Sequence, residues 1–315
     1  MNRVLCIDGG GMRGYLPAAV LVELERRSGR PCCELFEAVW GTSIGGVLAG
    51  LVGCGVPARE AIKFFTEDGP AIFEKTWRSN TRGFFEPRYR ADIIEERLRK
   101  RFGSLQTKTR VAMTAFDLGG HVFWDGGNVA NNPSMCALAD AMRYWGHRPS
   151  LGSYGPAGRP FILSLGCGAT RSSQRPYFFK FAKQAAKGTG GAELWQAARA
   201  TSAAQTYFPA YPMNGDRSAI VNAGLVRNGI ETLSALFEAA SEEVDYQMTQ
   251  ILGDHYIRIQ PQLEVDLPLD DASPGAILNL RSAAANCVRD SYAAIETFLQ
   301  KSEIRSQKQQ ERIPC

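Results

Sequence analysis

The stretch Asp8-Gly9-Gly10-Gly11-Met12-Arg13-Gly14 decides how this chain folds. Before it lies Val4-Leu5-Cys6-Ile7, an apolar run of strand type. After it, Leu16, Ala19, Val20 and Leu24 recur at helical spacing, so the reading is strand, tight turn, helix. Glycine lacks a Cβ, and its backbone can curl until successive N–H groups converge on one point. The helix N-terminus behind the turn adds partial positive charge. Such a cradle suits a phosphate or the oxyanion of a tetrahedral intermediate.

The phosphate reading has a formal basis, because Gly9-x-Gly11-x-x-Gly14 fits the dinucleotide fingerprint. That fingerprint also requires an acidic residue about 20 positions on, at the end of a second strand. The chain offers Ser28-Gly29-Arg30-Pro31-Cys32-Cys33 there, with no clear strand and no Gly-Lys-Ser/Thr for a P-loop. A second glycine turn favours the oxyanion. Glu37-Ala38-Val39-Trp40 leads into Gly41-Thr42-Ser43-Ile44-Gly45-Gly46, and Val47, Leu48, Leu51 and Val52 then form a helical apolar face. Gly-x-Ser-x-Gly between strand and helix is a nucleophile elbow, whose glycines permit the strained turn that lifts the serine hydroxyl clear of the backbone.

Ser43 needs a base. The chain has three histidines, His121, His147 and His255. His147 lies in a polar, loop-like stretch and His255 beside an apparent strand, and each reads more simply as a surface or structural residue. The other candidate is Asp125, in Phe123-Trp124-Asp125-Gly126-Gly127, where an apolar run precedes the acid and two glycines follow. A plain Asp-Gly turn would look the same. Partial burial would raise the carboxylate pKa towards a useful value, so a Ser43–Asp125 dyad is chemically reasonable.

These three ordered motifs resemble the signatures of the patatin-like phospholipases, of bacterial type. Asn131-Asn132-Pro133, Leu163-Ser164-Leu165-Gly166-Cys167-Gly168, Tyr256-Ile257-Arg258-Ile259-Gln260 and Leu269-Asp270-Asp271-Ala272-Ser273 are similar to further family stretches. The resemblance runs from about residue 3 to residue 300. It implies an α/β, patatin-like three-layer fold with a central, largely parallel sheet flanked by helices. Residues 1–300 would form a single catalytic domain, and residues 301–315 a polar tail. It implies a serine lipid acyl hydrolase with Ser43 as nucleophile and Asp125 as proton acceptor. Gly9, Gly10, Gly11, Met12, Arg13 and Gly14 would form the oxyanion hole, and Gly41, Gly45, Gly126 and Gly127 would support the two reactive turns. No cofactor or metal is implied. The partner would be membrane phospholipid, with a general lipase, esterase or thioesterase as the alternative. Family members of this kind also act as anti-phage effectors switched on by a cyclic oligonucleotide, which makes a cyclic nucleotide a candidate activator. One segment departs from the family order. Leu194–Pro209 normally precedes the Asp-Gly-Gly turn and here follows it, and Val221-Asn222-Ala223-Gly224-Leu225 resembles a second, degraded aspartate turn.

Composition sets the bounds. At 315 residues and 44% hydrophobic, the chain can bury a sizeable core. No signal peptide or membrane-spanning run is read, so a cytoplasmic protein acting at the inner membrane surface is expected. Eight cysteines show neither a disulfide framework nor a zinc pattern. The net charge of +4 is uneven, with Arg78, Arg82, Arg88, Arg90, Arg97, Arg99, Lys100, Arg101, Lys108 and Arg110 crowding one region among Trp77, Phe84 and Phe85. That region reads either as a solvated helix face, balanced by Asp92, Glu95 and Glu96, or as a basic lip for anionic headgroups. Nucleic-acid polymers fit poorly, since no binding motif accompanies the charge.

Overall fold

The computed structural model describes residues 3–74, 89–103, 105–117, 123–145, 159–170, 225–265 and 267–310. Two compact units divide the chain: Met1–Ser172 with Val244–Cys315, and Ser173–Glu243. Of the second, the described part is helical residues 225–243. The sheet and the candidate site described below lie in the first unit.

The opening stretch folds as its pattern predicts. Strand β1 (Arg3–Ile7) ends at Asp8, a 3-10 turn spans Gly11–Gly14, and helix α1 runs Tyr15–Ser28. Gly29 closes α1 in the left-handed conformation, φ 65°, and its N–H donates to Glu25 O. Strand β2 (Ala38–Thr42) follows, and helix α2 (Ile44–Gly53) starts one residue later. Helix α3 (Ala91–Phe102), strands β3 (Arg110–Asp117) and β4 (Phe123–Asp125), helix α4 (Ser134–Trp145) and strand β5 (Phe161–Leu165) come next. Helix α5 (Leu225–Leu252), strand β6 (Tyr256–Ile259) and helices α6 (Pro274–Asp290) and α7 (Tyr292–Gln310) complete the order.

The sheet is ordered β4-β3-β2-β1-β5-β6. β3, β2, β1, β5 and β6 are parallel, and β4 runs antiparallel along the β3 edge. A sheet of this kind must be covered on both faces, which is why β1 and β5 are almost continuously apolar. Alternation splits β1 between two cores. Leu5 and Ile7 face one, with Leu16, Leu21 and Leu24 of α1, Leu48 and Leu51 of α2, and Leu280 and Phe298 of α6 and α7. Val4 and Cys6 face the other, with Ala137 and Leu138 of α4 and Met248 and Leu252 of α5. This is the three-layer α/β arrangement expected, with the central sheet largely parallel. The polar tail expected from residue 301 continues α7 as helix to Gln310.

Candidate active site

Parallel strands deliver their carboxyl ends to one edge of the sheet, and three sequence motifs meet there. Ser43 connects β2 to α2 with φ 52° and ψ −125°. It is the one non-glycine residue with positive φ among the described residues. The flanking glycines are steric necessities. A methyl group at Gly41 would overlap the Gly45 carbonyl, and one at Gly45 would overlap the carbonyl oxygens of Ile7 and Asp8. Helix α2 can therefore sit against the end of β1 only because residue 45 has no side chain.

The glycine turn lies beside the serine. A methyl group at Gly9 would stand 3.3 Å from Ser43 Cβ and 2.5 Å from the Asn131 side-chain oxygen. The turn's N–H groups divide into two sets. Gly9 donates to Asn131 O (3.2 Å), Met12 to Leu269 O (2.7 Å) and Arg13 to Gly10 O (3.0 Å). Those of Gly10 and Gly11 have no hydrogen-bond partner among the described residues. Gly11 has φ 53° and packs against the Leu269 carbonyl. Gly14 packs against Phe65, and Met12 against Gly69. The Arg13 side chain is buried, with Nε donating to Leu267 O.

Asp125 reaches the same edge through strand register. Thr42 pairs with Thr114 across β2 and β3, and Ala115 pairs with Asp125 across β3 and β4. The strand that ends before Ser43 and the strand that ends at Asp125 are thus separated by β3. Asp125 Oδ1 accepts from the Gly127 N–H (2.7 Å). Ser43 and Asp125 are not hydrogen-bonded to one another. The partial burial expected for Asp125 is not found: the residue is exposed, because β4 is the sheet edge. Gly126 packs on the Thr114 backbone, where a Cβ would overlap.

Hydrogen bonds lace the three motifs together. Fully buried Thr42 donates its hydroxyl to Ala130 O (2.6 Å) and lies 2.8 Å from the Thr114 hydroxyl. With the Gly9–Asn131 bond, this ties the segment after Asp125 to both the serine strand and the glycine turn. Behind the turn, Arg258 on β6 forms a bidentate pair with Asp8 (2.9 and 2.5 Å), and both side chains are buried. Burial alone would depress the Arg258 guanidinium, but the Asp8 carboxylate overrides it and holds the group above its ordinary pKa. Sequence reasoning gave neither Asp8 nor Arg258 a role. The available signal was an acid directly after the apolar strand β1 and an arginine within β6.

His255 stands at the amino end of β6, the opposite end of the sheet from Ser43, and its ring meets Phe161 edge-on. It is not placed to serve Ser43. His121 and His147 lie outside the described residues, as do Leu194–Pro209 and the Asn222 turn. Within the described part of the basic region, Arg90 pairs with Asp92, Arg99 with Glu95, Arg101 with Glu67 and Asp68, and Arg110 with Asp140. No described helix is long and apolar enough to cross a membrane.

A largely parallel sheet between helical layers, with a strained serine turn beside a glycine turn, defines a three-layer α/β fold. The family model of the patatin-like phospholipases matches residues 5–117 of the chain. The chain is 31% identical to Patatin-08 of Solanum tuberosum over 156 residues, covering 44% of this chain and 39% of that protein. Patatin-1-Kuras 2 and Patatin-01 of the same plant are each 30% identical over the same length. The chain therefore spans about two-fifths of the length of the curated relatives it matches.

Proposed function

We propose that this protein is a lipid acyl hydrolase that uses Ser43 as nucleophile and Asp125 as base. The observation that carries the reading is Ser43 itself, held at φ 52° against a glycine turn with two uncommitted N–H groups. Asp125 takes the hydroxyl proton and Ser43 attacks the ester carbonyl. The N–H groups of Gly10 and Gly11 receive the developing oxyanion, the term that contributes most in such sites. Protonated Asp125 returns its proton to the leaving alcohol, and the carboxylate so restored activates the water that releases the fatty acid from the acyl-enzyme and frees Ser43. The contact between Ser43 and Asp125 would form with substrate bound, as catalytic contacts commonly tighten only then.

Membrane phospholipid is the substrate class proposed, on the likeness of residues 5–117 to the patatin-like phospholipases and on exposed apolar side chains near the site. Met113 of β3 is 52% exposed and Val129, four residues past Asp125, is 58% exposed, which offers an acyl chain a wettable but apolar approach. A phospholipase switched on by a cyclic oligonucleotide is the alternative reading, with the basic region as the place where such an anion would be held. The test is fatty-acid release from phospholipid vesicles, neutral glycerides and acyl thioesters, with and without cyclic di- and trinucleotides. Ser43→Ala and Asp125→Asn are each expected to lose on the order of 10³-fold or more in kcat with the fold intact. A fluorophosphonate should label the wild type and not Ser43→Ala. Full activity in Asp125→Asn would remove the dyad.

A further inference from the structure

Asp8 poses a problem for the proposed site. A carboxylate stands immediately before the turn that would stabilise negative charge, in a buried setting where charges are weakly screened. Left alone, it would oppose the oxyanion it adjoins. The three C-terminal stretches that resemble the family without a stated role converge on this point. From the first, Gly166 and Cys167 wrap the turn: the Cys167 thiol donates to Asp8 O (3.3 Å), and its side chain fills the space a Cβ at Gly10 would need. A methyl group at Gly166 would overlap the Gln260 side-chain oxygen and lie 2.9 Å from Arg258 Nη2. From the second, Arg258 meets Asp8 with both nitrogens, and also donates to Ser164 Oγ (2.8 Å) and Gln260 Oε1 (3.2 Å). From the third, Leu269 O takes the Met12 N–H.

We infer that Arg258 is a positioning residue for the oxyanion turn, acting through Asp8. Its guanidinium cancels the Asp8 charge beside the turn. Its planar fork also fixes the Asp8 side chain, while Leu165 O holds the Asp8 N–H (3.0 Å) and Cys167 holds its carbonyl. With all three anchored, the Asp8–Gly9 peptide has one orientation, and the N–H groups of Gly10 and Gly11 are aimed by it. A planar bidentate group is required, so lysine at 258 would keep the charge and lose the aim.

This inference rests on the hydrolase reading, and the experiment separates the two. A soluble short-chain ester is hydrolysed by the wild type, Ser43→Ala, Arg258→Lys, Arg258→Gln and the double variant Asp8→Asn/Arg258→Gln, with thermal melting of each. Arg258→Lys is expected to lower kcat about 10-fold with KM within twofold, the signature of an interaction made in the transition state. Arg258→Gln should fall about 100-fold, comparable to loss of an oxyanion donor. The double variant should recover at least ~10-fold over Arg258→Gln, because the uncompensated charge is gone. If Arg258→Gln does not fold, Arg258→Lys alone still decides. Wild-type kcat in Arg258→Lys overturns the inference, as does a loss that appears in KM alone or a double variant no faster than Arg258→Gln. Activity surviving in Ser43→Ala overturns the hydrolase reading instead.

Discussion

At the residue scale, the site depends on one conformation that the local sequence permits and does not favour. A serine at φ 52° costs about 1–3 kcal/mol relative to a relaxed backbone. Ser43→Gly should therefore be more stable than Ser43→Ala by about 1 kcal/mol in urea unfolding, while both are inactive. Thr42 shows how such strain is held, since its hydroxyl joins the Ala130 carbonyl and the Thr114 hydroxyl. Thr42→Val keeps the shape and removes both bonds. It should lower kcat about 10-fold through a looser Asp125 segment, and cost about 1–2 kcal/mol by the same unfolding measurement. Ser43 and its glycines were legible in the sequence because the constraint on them is local and steric. Asp8 was visible only as part of a motif, because its partner is 250 residues away. The exposure of Asp125 was not legible either: it follows from β4 lying at the sheet edge, which no local pattern encodes.

At the element scale, close approach between α2 and β1 is what places the serine. Gly45→Ala pushes a methyl group into two strand-end carbonyls, and should cost about 3 kcal/mol as well as activity, read by thermal melting and ester hydrolysis. Helix α7 is anchored by Phe298, fully buried and stacked between Phe36 (5.1 Å) and Phe161 (5.7 Å). A second link joins α1 to α7, in which Glu23 bonds Arg26 and Arg27, and Arg27 bonds Glu296. The Arg26 hydrogen bond leads in pulling the Glu23 carboxyl down to about 2 from its ordinary 4.5; burial opposes it, and Arg27 adds to it. A depressed pKa contributes stability above the unfolded value and loses it as pH falls through the folded one. Glu23→Gln should accordingly be less stable than wild type at pH 6, and the gap should close between about pH 4.5 and 2 in acid-titrated unfolding.

At the scale of the whole molecule, alternating strand and helix patterns made the α/β class legible, while the sheet order β4-β3-β2-β1-β5-β6 was not. That order comes from long-range pairing, and it decides which loops share the active edge. The seven described cysteines are all free, and burial pushes the thiols of Cys6, Cys167 and Cys287 up, the last to about 11. Iodoacetamide at pH 8 should modify half-buried Cys33 and Cys136 first, and these three only after denaturation, as mass spectrometry of the labelled peptides would show. The glycine turn carries a further consequence, in time rather than in space. Arg258 and Leu267, which fasten it, stand 250 and 254 positions behind their partners and are synthesised that much later. At translation rates of roughly 5–20 residues per second, the turn waits ~10–50 s on the ribosome before its supports exist. Under the proposed function, the oxyanion turn takes its working shape only after the ribosome has made the distant segments that fasten it.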